Sequence, residues 1–386
     1  MAQRLGQTHH RIADQQLAFL RLTARRAAGP DTGGTTMKPA SKHCFARAMV
    51  AALACAAGGA WAADKGPLTV AVYGGIGEKT ITECVIKPFT AATGVKVITD
   101  PGASALTMTK LNQQKSAPVI DVAWMDGGIS ELAWKAGLLE PLDPARMPNL
   151  ENAIPQARYQ DDGKIYAAST GYYALGILYN TELVKTPPTS WKDLWKDEYA
   201  DLVALPSPDN AMGIPLLAHL AKLYGGGLDN PAPAIEQIRK LKVAAFWNSS
   251  GTATNMFQNE EIAVSPHFST SAWTLIKNGQ PLKYVAPSDG AVANDIRVHL
   301  VHGTPRRELA EQFINGIFTQ ETASCLARTF YAGPYVKDVK LPPDVAQYMP
   351  WGAQGTIDDV VIPDWLALNA RREALTDAWN KNIGRR

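Results

Sequence analysis

The stretch from Gly163 to Leu205 is GKIYAASTGYYALGILYNTELVKTPPTSWKDLWKDEYADLVAL, and it decides the fold. Residues Ile165 to Asn180 are small, apolar or aromatic with little charge, which predicts an extended segment buried between two bodies of structure. Pro187 and Pro188 end the segment, because proline cannot donate a backbone hydrogen bond. Ser190 then caps a short helix, in a pattern close to a capping box, before a strand from Leu202 to Leu205. The stretch fits either one crossover within a domain or a passage between two domains.

Strands and helices alternate on both sides of this stretch. Before it, the sequence predicts a strand at Leu68–Tyr73, an amphipathic helix at Thr80–Thr93 and a strand at Val119–Met125. Ser104 is predicted to cap the helix before this last strand, and Asp126 is predicted to cap the helix after it.

After the stretch the alternation resumes. The sequence predicts a helix at Ser269–Lys277, a strand at Leu282–Val285 and a later helix capped by Thr319. An extended segment at Asn294–Val301 is predicted to cross back. This order predicts an α/β fold in which parallel strands are covered by helices.

Residues 37–62 have the pattern of a cleavable signal peptide. Met37 opens a basic segment, and an Ala-rich apolar run follows from Ala48 to Ala57. Ala60-Trp61-Ala62 fits the small-x-small cleavage rule, so Ala63 is the predicted mature N-terminus. The run is too short to span a bilayer comfortably, which favours secretion into the periplasm over a membrane anchor.

Residues 1–36 precede this signal, and we interpret them as an upstream extension that results from a start codon assigned too early. Lipoprotein processing at Cys55 is the alternative to cleavage before Ala63. Residues 1–62 hold eight of the 38 basic and two of the 36 acidic residues, so the remaining chain has a net charge of −4. That balance gives no indication of a nucleic-acid partner. No other apolar stretch approaches membrane length, so the mature chain is expected to be soluble.

Two of the four cysteines, Cys84 and Cys325, remain after cleavage. An oxidising periplasm permits a disulfide between them. Both also lie at apolar positions of predicted helices, which is equally typical of two buried free thiols. Their spacing does not choose between the two states.

The motifs of the central stretch resemble those of a known family. The apolar crossing strand, then Tyr-Asn, then P-T-S-W-x-D-L-W-x-x-E-Y at Pro188–Tyr199 resembles periplasmic solute-binding proteins of ABC importers. The spermidine/putrescine-binding branch is the most similar, with iron- and thiamine-binding proteins nearby. Asp121–Asp126, Leu132–Asp143 and Pro287–Val292 also fit, and the resemblance covers residues 66–386.

The resemblance implies a two-lobe periplasmic-binding-protein fold of type II with two crossing segments at the hinge. Lobe one is expected to hold residues 63–170 and 294–338, and lobe two residues 171–293 and 339–386. Such a chain binds one small solute between the lobes, closes about the hinge and delivers the solute to an inner-membrane ABC permease with its ATPase. It is expected to act as a monomer, without a cofactor or metal and without making or breaking a bond.

The loops at the carboxyl ends of the strands supply candidate ligand-binding residues, because clefts in such folds are lined there. Asp126 caps a helix and can also face the cleft. The turn at Gly75 and Gly77 can present backbone N–H groups to an anion. Ser207 and Asp209 lie at a predicted helix start. Aromatic candidates for stacking or for cation–π contact include Tyr73 and Tyr331.

The resemblance adds three site residues. Asp295 lies where polyamine binders carry an amine-binding carboxylate in a W-M-D motif, although Ala293 replaces the tryptophan here. His267 and Phe268 lie where those proteins place a cleft aromatic residue. A polyamine or another organic amine is therefore the favoured ligand.

Alternative functions remain open at this stage. The glycine turn and the scarcity of carboxylates favour an anionic or zwitterionic solute, such as a phosphonate, a thiamine species or an amino acid. Ferric iron is a further alternative. A secreted α/β hydrolase is the rival enzyme class, although the sequence shows no nucleophile–base motif, and a pure interaction domain would have no cleft.

Overall fold

The structure, a computed structural model, describes residues 66–384. The predicted extension at residues 1–36, the signal peptide at residues 37–62, Cys55 and Ala63 lie outside the described residues. Within that range, 12 strands form one mixed sheet, and helices pack against it. The predicted α/β fold class is confirmed.

Eleven of the 12 strands lie between Leu68 and Val301, and the last lies near the end of the chain. Their bounds are β1 (Leu68–Val72), β2 (Val97–Pro101), β3 (Val122–Asp126), β4 (Leu139–Glu140), β5 (Arg158–Asp161), β6 (Lys164–Asn180), β7 (Val203–Pro206), β8 (Val243–Trp247), β9 (Val264–Phe268), β10 (Leu282–Val285), β11 (Ala291–Val301) and β12 (Val360–Val361).

The helices lie mainly between the strands and after β11. Their bounds are α1 (Ile76–Ile81), α2 (Lys87–Thr93), α3 (Ser104–Gln113), α4 (Ile129–Lys135), α5 (Gly213–Leu223), α6 (Ala232–Lys240), α7 (Ser250–Gln258), α8 (Ser269–Lys277), α9 (Arg307–Ile317), α10 (Gln320–Phe330), α11 (Pro343–Ala346) and α12 (Trp365–Asn382). A π-helical turn, Thr82–Ile86, joins α1 to α2.

Two long antiparallel strands, β6 and β11, form the centre of the sheet. The sheet order is β2-β1-β3-β11-β6-β9-β7-β8, so β11 joins the β1–β3 group and β6 joins the β7–β9 group. Sixteen of the 17 residues of β6 and all 11 residues of β11 are buried. A strand buried on both faces needs a nearly continuous apolar sequence, which Ile165 to Asn180 provides. The two predicted crossing segments are therefore strands β6 and β11.

Some of the predicted helix N-caps are present in the structure and others are not. The Ser190–Asp193 capping box is present, although its helix is a 3-10 helix, Trp191–Trp195. Thr319 caps α10 as the spacing suggests, by accepting from the Thr322 amide. The predicted cap at Ser104 is wrong, because this serine is the first residue of α3 and its hydroxyl donates to Asp126.

Two further predicted caps are also wrong, and both lie after strands that enter the cleft region. Asp126 does not cap α4, because Gly128 occupies the N-cap position. Ser207 does not begin a helix either, since residues 207–212 form a turn and α5 starts only at Gly213. In both places a polar residue follows a strand, but the turn between the strand and the helix is longer than the pattern indicates.

A disulfide joins Cys84 in the π-helical turn to Cys325 in α10, with Cα atoms 5.7 Å apart. The bond links parts of the chain that are 241 residues apart in sequence. It fixes the first helical segment against α10, whose last residue, Phe330, reaches the cleft described below. Of the two states that the sequence left open, the structure has the disulfide.

We expect replacement of both cysteines by serine to lower the free energy of unfolding by about 2–5 kcal/mol, because a cross-link that closes a long loop restricts the unfolded chain. Chemical denaturation of the variant and of the parent protein, each purified under oxidising conditions, measures the difference. Equal denaturation midpoints would show that the cross-link contributes nothing to stability.

Candidate functional site

Near the centre of the sheet, a cavity of about 280 Å³ lies where several strands end. We call it the acid cavity, because Asp126 is the acidic side chain in its wall. Its lining comprises Tyr73, Asp126, Tyr173, Ser250, Phe268, Thr270, Ser271, Ile296 and Phe330. Tyr73, Asp126 and Phe268 lie at the carboxyl ends of β1, β3 and β9, where the rule for α/β folds places ligands.

The Asp126 carboxylate is held by hydroxyl groups. Ser104 Oγ donates to Asp126 Oδ2 at 2.8 Å, and the Tyr173 hydroxyl donates to Oδ1 at 3.2 Å. The Tyr73 hydroxyl lies 3.4 Å from Ser104 Oγ. In the described part of the chain, no Lys or Arg side chain forms an ion pair with Asp126. The carboxylate is therefore oriented by neutral donors, and its charge is not neutralised.

Burial is the main influence on the titration of this group. It raises the pKa of Asp126, hydrogen bonds from Ser104, Tyr73 and Tyr173 oppose the rise, and the charge of Asp295 adds to it. Burial and the neighbouring Asp126 also raise the pKa of Tyr73 and of Tyr173 well above the usual value. Both tyrosines therefore remain protonated donors at neutral pH. A cation is the ligand group that would stabilise the charged form of Asp126.

A chain of hydrogen bonds orients the Tyr173 hydroxyl. Asn294 Nδ2 donates to this hydroxyl at 3.0 Å, so the tyrosine proton is directed towards Asp126. The following loop is packed tightly: a Cβ at Gly127 would lie 2.6 Å from Arg297 Nη2 and 2.5 Å from Trp365 Nε1. Only glycine fits at that approach, which fixes the backbone beside Asp126 against β11 and α12.

The remaining wall is aromatic and hydroxylic. The Tyr173 and Phe268 rings have centroids 5.8 Å apart, and Phe330 also contributes to the lining. Ser250 begins α7, while Thr270 and Ser271 lie in the first turn of α8. Aromatic faces attract cations, and the hydroxyls can accept hydrogen bonds from an ammonium group or donate to an anionic one.

Strand alternation separates this cavity from a buried ionic network on the other face of β6 and β11. Tyr173 and Ile296 point to the cavity, whereas Tyr172, Asp295 and Arg297 point to the opposite face. Arg297 and Asp295 are fully buried, and Arg297 Nε donates to both Asp295 carboxylate oxygens, at 2.9 and 3.0 Å.

Glu131 completes the network. It forms an ion pair with Arg297 Nη1 and accepts a hydrogen bond from the Tyr166 hydroxyl at 3.0 Å. The Arg297 guanidinium carbon lies 3.3 Å from the centroid of the Tyr159 ring. Burial acts to lower the pKa of Arg297, but Asp295, Tyr159 and Glu131 outweigh it and keep the pKa above its usual value. Asp295, chosen from the sequence as an ammonium contact, is thus already occupied by an arginine.

The two predicted aromatic residues of β9 also separate by alternation. Phe268 lines the acid cavity, whereas His267 is fully buried against Trp247 and Phe257 on the other face. Burial lowers the pKa of His267 to about 4, so it is neutral at physiological pH. The structure does not bring His267 to the cavity.

The other candidates are placed as follows. Gly77 lies beside Tyr73 and allows α1 to approach it, since a Cβ there would be 2.8 Å from Tyr73 Cβ. Gly75 forms the turn before α1 and is exposed. Asp209 is also exposed, and Ser207 does not line the acid cavity. Tyr331 lines the neighbouring cavity described below.

Sequence reasoning missed Tyr173, Ser250, Ile296 and Phe330, whereas Thr270 and Ser271 belong to the strand-end loop, residues 266–271, that it selected together with His267 and Phe268. Tyr173 carried a usable signal, because in a buried strand one tyrosine of an adjacent pair must face each side. Ser250 and Phe330 reach the cavity from helix ends that lie far apart in sequence, and no local pattern marks them. Ile296 lies in β11, on the face opposite to that of Asp295.

Residues 117–358 match the family model described as bacterial extracellular solute-binding protein. The chain belongs to this family. The predicted solute-binding role is thereby confirmed, and the family is one of binding proteins, which favours that role over the secreted hydrolase.

Individual relatives support the same assignment. The spermidine/putrescine-binding periplasmic protein 1 of Haemophilus influenzae is 30% identical over 254 residues, which cover 64% of this chain and 70% of the relative. A putative 2-aminoethylphosphonate-binding periplasmic protein of Salmonella typhimurium is 22% identical over 299 residues, which cover 76% of this chain and 85% of the relative. The structure of a putative extracellular solute-binding protein from Bordetella parapertussis matches with a TM-score of 0.71 and 22% identity, covering 82% of this chain and 98% of the other. The predicted two-lobe fold is confirmed.

Among residues 66–384, no group of three or more His, Cys, Asp or Glu side chains is placed to hold a metal ion. Over the same range, no helix is both long and apolar enough to cross a membrane.

Asp295→Asn is expected to lower the free energy of unfolding by roughly 3–5 kcal/mol, because it leaves the buried Arg297 charge incompletely compensated. The double variant, Asp295→Asn with Arg297→Gln, should lose less free energy of unfolding than the two single variants lose together. Urea denaturation of the four proteins measures the coupling.

Amine binding by the Asp295→Asn protein is the control for the interpretation that Asp295 pairs with Arg297 and does not contact the ligand. An additive cycle would contradict a coupled ion pair. A large loss of amine affinity with unchanged stability would restore Asp295 as a ligand contact.

Proposed function

We propose that this chain is the periplasmic substrate-binding component of an ABC importer, and that it captures a small organic amine in the acid cavity. The observation that carries the proposal is the Asp126 carboxylate: it is held by hydroxyl donors and flanked by aromatic rings, and no described cation pairs with it. A primary ammonium group supplies both the positive charge and the hydrogen-bond donors that such a carboxylate lacks.

The surroundings of Asp126 support the cationic ligand. Asp295 and Glu131 outnumber Arg297 in the buried network, and the charge of Asp295 already contributes to the raised pKa of Asp126. The relative from Haemophilus influenzae, named for spermidine and putrescine, agrees with a polyamine or another amine. A cavity of about 280 Å³ suits a small solute.

A zwitterionic solute is the second candidate. Two observations favour it: a lysine lines the adjoining cavity, and one relative is named for 2-aminoethylphosphonate. An anionic ligand without an ammonium group is less suited to Asp126, because like charges would be buried together.

The transport role follows from the family together with the hinge. We assign residues 63–170 and 294–338 to one lobe and residues 171–293 and 339–386 to the other, with β6 and β11 as the connections. Closure about these strands would exclude water and strengthen the contact between ammonium and carboxylate. The closed monomer would then deliver the solute to an inner-membrane permease and its ATPase.

Asp126→Asn keeps the side-chain shape and removes the charge, so amine binding should weaken by about 2–5 kcal/mol. Since the pKa of Asp126 is raised, the parent protein should lose amine affinity on acidification at a higher pH than an ordinary aspartate would require. The variant should lose this pH dependence. Calorimetric titration with a primary amine across a pH series measures both effects.

Asp377→Asn, an exposed position in α12, is the matched control and should bind like the parent. The apo form of Asp126→Asn should be as stable as the parent or more stable at neutral pH. The reason is that the pKa of Asp126 is higher in the folded protein than in the unfolded chain. Such a group lowers the stability of the folded protein as the pH rises from the unfolded-state pKa to the folded-state pKa. Unchanged amine affinity in Asp126→Asn would refute the proposed site.

A further inference from the structure

A second cavity, of about 520 Å³, adjoins the acid cavity. We call it the lysine cavity, because Lys277 is the charged side chain in its wall. The two cavities share Thr270, Ser271 and Phe330 as lining residues. A ligand that occupies the acid cavity therefore has space to extend into the lysine cavity.

Helix α8 forms the common wall of this path. Thr270 and Ser271 line both cavities, and Thr274 and Lys277 continue the lining along the helix. These positions lie on one helical face, because residues three or four apart are neighbours on a helix. From Thr270 to Lys277 the helix rises by roughly 10 Å, at about 1.5 Å per residue. The path from Asp126 to Lys277 thus has hydroxyl groups along one side and opposite charges at its ends.

The Lys277 ammonium is held in position by aromatic rings. Its Nζ lies 4.9 Å from the ring centroid of Tyr331 and 4.5 Å from that of Tyr348. Tyr331, chosen from the sequence as a ligand-stacking residue, instead helps to fix this lysine. A hydrogen bond with Tyr331 is the main cause that raises the pKa of Lys277, so the side chain is charged at neutral pH.

Lys277 has no carboxylate within ion-pair distance among the described residues, although Asp344 attracts it from further away. An exposed lysine of this kind can pair with an anionic group of a ligand. A second ammonium group in the same place would meet a like charge instead, and the lining contains no acidic side chain that could offset the repulsion.

We infer that the ligand is an extended zwitterion, with its ammonium group at Asp126 and a carboxylate or phosphonate group at Lys277. This inference rests on the proposed function, because it places the ammonium at the same carboxylate. It restricts the substrate class to molecules with one cationic and one distal anionic end, and it disfavours linear diamines.

Three probes of equal chain length test the inference in calorimetric titrations: hexylamine, 1,6-diaminohexane and 6-aminohexanoate. We expect the amino acid to bind about fivefold more tightly than the diamine, since an ion pair with an exposed lysine is worth up to about 1 kcal/mol. Lys277→Gln should remove this preference, and Lys277→Glu should reverse it. Lys283→Gln, an exposed lysine on β10, is the matched control and should behave like the parent.

The outcomes separate this inference from the proposal on which it rests. If all three probes bind alike and Asp126→Asn abolishes their binding, the amine site stands and the zwitterion inference is wrong. Tighter binding of the diamine, or an unchanged amino acid affinity in Lys277→Gln, also overturns the inference. If none of the probes binds, both the inference and the amine site are wrong.

Discussion

The buried ionic network around Arg297 is the constraint on which the centre of this structure depends. Arg297 is fully buried in β11, and it is compensated by Asp295 on the same strand and by Glu131 at the start of α4. A buried charge is tolerated only when its partners are positioned accurately. Because Glu131 belongs to a helix that packs on β3, the network connects β11 to the β1–β3 group. Tyr159 and Tyr166 extend the same connection to β5 and β6.

The other face of the same two strands carries the candidate site. Period-two alternation places Tyr173 and Ile296 towards the acid cavity, and Asn294 on that face bonds to the Tyr173 hydroxyl. Arg297 therefore neutralises acids on one face but does not reach Asp126 on the other. Asp126 contacts hydroxyl donors instead, and these orient the carboxylate without neutralising its charge. This separation explains how the Asp126 carboxylate, at the end of the adjoining strand β3, has no cationic partner among the described residues although Arg297 lies in β11.

Much of the fold could be predicted from the sequence, because it depends on local patterns. The continuous apolar run at Ile165–Asn180 indicated β6, and the capping box at Ser190 was correct. Helix α8 and strand β10 were predicted with their observed ends. The predicted caps at Ser104, Asp126 and Ser207 were wrong, because the length of a turn after a strand is set by tertiary packing.

The candidate site was less predictable. The rule for strand ends led to Tyr73, Asp126 and Phe268, but Asp295 and His267 were chosen without fixing which face of the strand each would occupy. A one-residue difference moves a side chain to the opposite face. Ser250, Thr270 and Phe330 come together only through the packing of three helices, which no short motif encodes.

The most direct test of this account is a crystal structure of the chain saturated with a primary amine. The account predicts that the amine nitrogen lies about 3 Å from a carboxylate oxygen of Asp126, inside the cavity lined by Tyr73, Tyr173 and Phe268. In the same structure, Asp295 should still be paired with Arg297. An amine that displaces Arg297 from Asp295, or that binds away from Asp126, would contradict the account.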